Sequence, residues 1–124
     1  MKKLNAFVIE DHPGQGLVFR TALQQIGFRA ELIQNGKLAQ DRLHKTAPDF
    51  VLLDLHMPGV SGQELLEQMT SDERFADTTI AIASADAELA DSLKDQVAMV
   101  VIKPVGFDQL QKLVKDIMKM TTKN

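Results

Sequence analysis

Apolar residues in this chain come in short blocks, each ending at a polar residue and a turn signal. The densest block, Phe50-Val51-Leu52-Leu53, stops at Asp54 and is followed by Met57-Pro58-Gly59. An unbroken run of that length, bounded by turn residues, reads as a strand buried on both faces, as in a parallel sheet. Residues 4–9 form a similar run ending at Glu10-Asp11, and residues 28–33 alternate as a strand does. Residues 78–83 lead to Ser84, and residues 98–102 lead to Lys103-Pro104. Between the blocks the period becomes helical. After a Pro13-Gly14 turn, Leu17, Val18, Ala22, Leu23 and Ile26 fall on one face, and Gly27 sits where a helix-ending glycine belongs. Asn35-Gly36 reads as a turn before a helix carrying Leu38, Ala39 and Leu43, stopped ahead of Pro48. Ser61-Gly62-Gln63-Glu64 has capping-box spacing and opens a helix with Leu65, Leu66 and Met69 inward. Residues 86–95 predict a short helix, and apolar positions 110, 113, 114, 117 and 118, following Phe107, predict the most regular one. Residues 121–124 are polar and are expected to fray.

Five alternations of strand and helix predict an α/β domain with a parallel sheet covered on both faces. Right-handed crossovers then bring every strand's C-terminal end to one edge, outside which ligands bind in such sheets. That edge receives Glu10 and Asp11, Asp54, Ser84 and Lys103 from four different strands. Composition narrows the classes. The 124 residues make one domain, and 44% hydrophobic with 25% charged residues is ordinary for a globular protein. Without cysteine there is no disulfide or thiolate metal site. A net charge of −3, with no basic cluster, offers no footprint for nucleic acid. The apolar run at residues 6–9 is too short for a signal peptide, and no stretch approaches the ~20 apolar residues of a membrane span. The expectation is a cytoplasmic protein that binds neither membrane nor nucleic acid directly.

Three carboxylates brought together repel one another, and a hard divalent cation relieves the repulsion through a few carboxylate oxygens and waters. With such an ion, a carboxylate can act as a nucleophile toward phosphorus while an ammonium and a hydroxyl bind the phosphoryl oxygens. The plainer alternative is a capping aspartate at Asp54, with Lys103 serving only as a salt-bridge partner.

Glu10-Asp11 after the first strand, Asp54 within Leu-Leu-Asp-Leu-x-Met-Pro-Gly, Ser84-Ala85 and Lys103-Pro104 together resemble the receiver domain of bacterial two-component response regulators. The resemblance covers essentially the whole chain, and the joint spacing is far more specific than any one motif. It implies a flavodoxin-like (βα)5 fold with strand order 2-1-3-4-5, a single receiver domain over residues 1–124 and no output domain. It implies Mg²⁺ (or Mn²⁺) held by Glu10, Asp11, Asp54 and the backbone carbonyl of His56. Asp54 would take a phosphoryl group from a histidine kinase or phosphotransfer protein, with Ser84 and Lys103 binding that group and the Lys103-Pro104 bond cis. His56 and Asp86 occupy positions that tune loss of the phosphoryl group. The downstream target would be a protein meeting the fourth helix, fifth strand and fifth helix, with the domain a monomer or a phosphorylation-linked dimer and no turnover of free substrates.

The sequence departs from the family in three places. Val100 stands three residues before the lysine, where receivers usually carry Tyr or Phe. The segment 84–103 is a few residues short, and Gln96-Val97-Ala98 replaces the usual Gly-Ala. These departures motivate a second reading: a constitutive interaction module on the same fold, uncoupled from phosphorylation. A third reading, a phosphatase or phosphotransferase of the haloacid dehalogenase type, needs a second Asp two residues after the nucleophile, where this chain has His56. Gly14-Gln15-Gly16 mimics a dinucleotide loop with Glu31 as the ribose acid, but the third glycine is absent and Glu10-Asp11 would repel a pyrophosphate. His12, His44 and His56 lack the paired spacing of a helical metal site.

Overall fold

The central strand, β3 (Phe50–Asp54), is buried along its whole length, as its unbroken apolar run requires. In the computed structural model, which describes residues 3–121, it pairs in parallel with β1 (Asn5–Ile9) on one side and β4 (Thr79–Ser84) on the other. β2 (Arg29–Ile33) and β5 (Met99–Ile102) complete the five strands, in the spatial order β2-β1-β3-β4-β5. This is the expected flavodoxin-like arrangement. Residues 122–124, within the tail expected to fray, lie outside the described residues.

The period of two along the strands divides the core into two layers. Ala6, Val8, Phe50, Leu52, Ala81 and Ala83 face α1 (Pro13–Gln25) and α5 (Phe107–Thr121), meeting Phe19, Leu23, Leu113 and Ile117. Phe7, Ile9, Val51, Leu53, Ile80 and Ile82 face α2 (Gly36–Lys45), α3 (Gly62–Thr70) and α4 (Ala87–Leu93), meeting Ala39, Leu43, Leu65, Leu66, Met69 and Ala90. No helix among the described residues is long and apolar enough to cross a membrane.

Helix ends follow their sequence signals. Ser61 Oγ accepts the Glu64 N–H at 3.2 Å, and Gly27 closes the α1 segment at φ +102°. Three expectations are corrected. Pro13 is already the first residue of α1, so the buried stripe is Gly16, Phe19 and Leu23, while Leu17 and Val18 are 45% and 53% exposed. Within that stripe a Cβ on Gly16 would come within 2.4 Å of the Leu32 side chain, and both glycines of the apparent dinucleotide loop lie inside α1. Asn35-Gly36 is a helix start rather than a turn: Asn35 Oδ1 accepts the Leu38 N–H at 2.8 Å. Leu38, on the face expected inward, is exposed. A short 3-10 turn, Glu73–Phe75, has no counterpart in the predicted elements; from it Arg74 donates to the Leu43 and His44 carbonyls, both at 3.0 Å, and so caps the end of α2.

The start of α3 is pressed against the end of β3. A Cβ on Gly62 would lie 2.1 Å from the Asp54 carbonyl oxygen and 2.6 Å from Leu55 Cα, and backbone cannot step aside. Gly62→Ala is therefore expected to lower stability in urea unfolding by about 1–3 kcal/mol. Gly14→Ala, with open space around the added methyl, is expected to leave stability unchanged or raise it by up to about 1 kcal/mol.

Candidate functional site

Parallel pairing brings the C-terminal strand ends to one edge, and the site is assembled there. Glu10 follows β1, its N–H donating to the Ile33 carbonyl at 3.0 Å. Its side chain is only 2% exposed. Oε1 meets Lys103 Nζ at 2.5 Å, and Oε2 accepts the His12 N–H at 3.2 Å. Asp54, the last residue of β3, is 5% exposed. Its Oδ1 accepts the His56 N–H at 3.1 Å, and Oδ2 lies 3.6 Å from Lys103 Nζ. Ser84, the last residue of β4, is fully buried, with Oγ accepting the Asp86 N–H at 3.0 Å. Lys103, just past β5, donates its N–H to the Ser84 carbonyl at 2.8 Å, and its bond to Pro104 is cis. The β3–α3 turn passes Gly59 at φ +79°, a conformation open to glycine, before Gly62 tucks α3 against the strand end.

Burial first, then a hydrogen bond with Glu10, raises the Asp54 carboxyl from 3.8 to about 6, against the opposing pull of the His56 N–H and the Lys103 charge. At Asp11 burial also pushes upward, but hydrogen bonds with His12 and Asp54 outweigh it and the carboxyl titrates below its ordinary value. A proton on Asp54 thus satisfies its neighbours' oxygens when nothing else does. With all three carboxylates ionised and Lys103 protonated, the pocket carries two net negative charges.

That charge and that donor set fit a hard divalent cation. Glu10, Asp11, His12 and Asp54 each offer a ligand atom, all within 4.8 Å of one another, and the carboxylate oxygens among them are the donors Mg²⁺ prefers. The mouth is an open cleft of about 350 Å³ bordered by His12, Asp54, His56, Ala85 and Lys103.

Glu10, Asp11, Asp54 and Lys103 are therefore brought together, and Ser84 joins the same edge through its carbonyl's bond to the Lys103 amide. His56 and Asp86 stand across the mouth from one another, His56 Nε2 3.4 Å from Asp86 Oδ2, and both are exposed. Val100 lies apart from the pocket: it is opposite Ile82 in the β4–β5 register and packs, half-buried, on the layer under α4. Glu31, the would-be ribose acid, is engaged by the Arg42 guanidinium instead. His12 joins this group without the paired histidine spacing of a helical metal site. Its place directly after two strand-end carboxylates is the sequence signal, since such a residue shares their edge.

Comparison with known proteins agrees with the geometry. Residues 6–115 match the response regulator receiver domain family. The probable methanogenesis regulatory protein FilR2 of Methanothrix harundinacea is 31% identical over 89% of this chain and 78% of its own length. Sporulation initiation phosphotransferase F of Bacillus subtilis is 27% identical, over 87% of this chain and 88% of that protein. Other curated relatives are longer: the chain spans 51% of the phosphate regulon transcriptional regulatory protein PhoB of Rhizobium meliloti. Among solved structures, the response regulator TrrA of Thermotoga maritima, in complex with Mg²⁺-BeF, superposes with a TM-score of 0.77 at 26% identity, covering 94% of this chain and 99% of that one. A CheY-like receiver domain from Methylobacillus flagellatus superposes equally well, TM-score 0.77 at 21% identity over 94% and 99% of the two chains, and shares the fold. With the strand order, the edge cluster and these matches in agreement, the chain belongs to the response regulator receiver domain family.

Proposed function

We propose that Asp54 accepts a phosphoryl group from a phosphohistidine on a histidine kinase or phosphotransfer protein, and that residues 1–124 act as one receiver domain that signals by protein contact. The observation that carries this reading is the meeting of Glu10, Asp11, Asp54 and Lys103 in one pocket at the strand ends. Mg²⁺ (or Mn²⁺) bound by Glu10, Asp11, Asp54 and the His56 carbonyl would supply positive charge to the transferring phosphoryl oxygens. An Asp54 carboxylate oxygen bonds to phosphorus as the phosphorus–nitrogen bond breaks, its electron pair staying with the donor imidazole. Lys103, already 3.6 Å from Asp54 Oδ2, binds a phosphoryl oxygen at the mouth of the pocket. Ser84 Oγ has one lone pair engaged by the Asp86 N–H, which leaves its proton to donate to another such oxygen. His56 and Asp86 flank the path by which water would reach the acyl phosphate, which supports their tuning role. The donor meets the domain beside the pocket, where Leu17 and Val18 of α1 are exposed and a cleft of about 180 Å³ runs from Gln15 and Val18 to Lys103 and Pro104.

One observation favours the second reading, a module whose contacts do not depend on phosphate. α4 has seven residues and passes through a 3-10 turn, Lys94–Gln96, straight to β5, where Val100 packs without the ring found in most receivers. The two readings differ in their response to a phosphoryl mimic. Mg²⁺ with beryllofluoride is expected to shift backbone amide resonances at Ser84, Ala85 and residues of α4 and β5, and Asp54→Asn is expected to abolish the shifts. Shifts confined to the pocket would favour the constitutive module, and none at all would remove the phosphoacceptor reading.

The Asp54 carboxyl also predicts a sign for stability in chelator. It titrates near 6 in the fold against 3.8 as the ordinary value, so the stability this group contributes is complete below pH 3.8 and is lost as the pH rises through 6. The loss is at most about 3 kcal/mol. Asp54→Asn should therefore be more stable than the parent by about 1–3 kcal/mol in urea at pH ~7 without metal. The difference should vanish near pH ~4 and shrink or reverse when Mg²⁺ stabilises only the parent.

Docking on α1 makes a separable prediction. Val18→Asp should slow phosphorylation by a cognate kinase about tenfold or more, as loss of an apolar anchor does, and leave phosphorylation by acetyl phosphate unchanged.

A further inference from the structure

His12 is the group at the pocket to which the proposed phosphoryl chemistry gives no role. It is the N-cap residue of α1, yet its side chain makes no cap hydrogen bond to the helix amides. Its Nδ1 turns the other way, to 3.2 Å from Asp11 Oδ1 and 3.6 Å from Glu10 Oε2. With Asp54 included, one ligand atom from each of the four residues lies within 4.8 Å of the others. Donors held about 2.0–2.2 Å from a common ion at octahedral to tetrahedral angles stand about 3.0–3.6 Å apart. The spacings of His12 Nδ1 to the two carboxylates fall in that range. Glu10 divides its oxygens in a compatible way: Oε1 holds Lys103, and Oε2 is on the His12 side.

We propose that His12 supplies a nitrogen ligand to the acidic pocket, which thereby takes a borderline transition ion of the Zn²⁺, Co²⁺ and Ni²⁺ class through His12, Asp11, Glu10 and Asp54. The inference rests on reading that pocket as a metal site and adds a choice of metal to it. Mg²⁺ is hard, keeps its waters and gains nothing from an imidazole. Zn²⁺, Co²⁺ and Ni²⁺ bind imidazole well; across the first-row divalent ions affinity for a mixed nitrogen and oxygen site climbs from Mn²⁺ through Co²⁺ and Ni²⁺ to Cu²⁺ and falls back at Zn²⁺. One residue therefore separates two metal classes within the same four side chains. The ring is 69% exposed, free to settle onto an ion without disturbing the core.

The test is metal titration of the full chain, parent against His12→Ser, which keeps a good N-cap residue. His44→Gln, at an exposed position on α2, controls for adventitious imidazole binding. Zn²⁺ and Mg²⁺ affinities are measured by calorimetry at pH ~7, with the visible absorption of the Co²⁺ complex as a second readout. His12→Ser is expected to weaken Zn²⁺ by about tenfold or more, to leave Mg²⁺ within about twofold, and to alter the Co²⁺ spectrum, while His44→Gln matches the parent. Mg²⁺ binding with a Zn²⁺ affinity indifferent to His12→Ser, or an equal loss of both metals, would overturn the role of His12 and leave the pocket's reading standing. A parent that binds neither metal would overturn both.

Discussion

Repulsion among three carboxylates at one sheet edge is the constraint on which this site depends. Glu10 and Asp54 are almost fully buried, and a buried carboxylate without a partner is costly. The fold answers with one ammonium, Lys103, delivered from the far strand to within 2.5 Å of Glu10 and 3.6 Å of Asp54. One positive charge stands against three, and burial, backed by the hydrogen bond with Glu10 and that residue's charge, raises the Asp54 carboxyl to about 6. Below about pH 6 a proton on Asp54 occupies the metal-free pocket, and a divalent ion is the occupant that relieves the repulsion once all three carboxylates are ionised. The rest of the edge serves this arrangement. Parallel pairing sets the strand ends level, Gly62 lets α3 close against Asp54, and the His56 amide fixes one oxygen of its carboxylate.

The layers of the domain and most of the site were legible in the sequence for a simple reason. A doubly covered strand must be apolar on both faces, so residues such as Phe50 to Leu53 announce themselves, and the first polar residue after them marks the edge. Asp54, Ser84 and Lys103 were found in this way. What escaped depended on contacts between elements. The buried stripe of α1 is set by where Pro13 starts the helix and by Leu32 pressing on Gly16, and neither shows in the local period. Asn35-Gly36 has a turn's composition, but Gly36 is demanded by the Val60 carbonyl, whose oxygen would lie 1.8 Å from a Cβ. The Arg74 cap on α2 spans about thirty residues and has no local signature. His12 was passed over because it was judged by its spacing to other histidines rather than by the edge it shares with Glu10 and Asp11.

The strand-end pocket and the β4–α4–β5 side of the domain differ in how closely they follow the family. On the proposed reading, the pocket holds the carboxylates, hydroxyl and ammonium that phosphoryl acceptance calls for. Beyond it, α4 is short, the 3-10 turn leads directly into β5, and Val100 packs in place of a ring. A valine of fixed rotamer held against the layer under α4 has little room to swing. Under the proposed function, a change at Ser84 would reach β5 and α5 through backbone and packing rather than through a rotating aromatic side chain. The Ser84 carbonyl, hydrogen-bonded to the Lys103 amide at 2.8 Å, is a direct link of that kind.

The measurement that bears most directly on Asp54 is chemical trapping of an acyl phosphate. The chain is incubated with Mg²⁺ and acetyl phosphate, reduced with borohydride and sequenced by mass spectrometry, so that a phosphorylated aspartate is read as homoserine. The charge balance of the pocket predicts homoserine at position 54 alone, dependent on Mg²⁺. Labelling at Asp11 or Glu10, labelling indifferent to chelator, or no trapped product would contradict it.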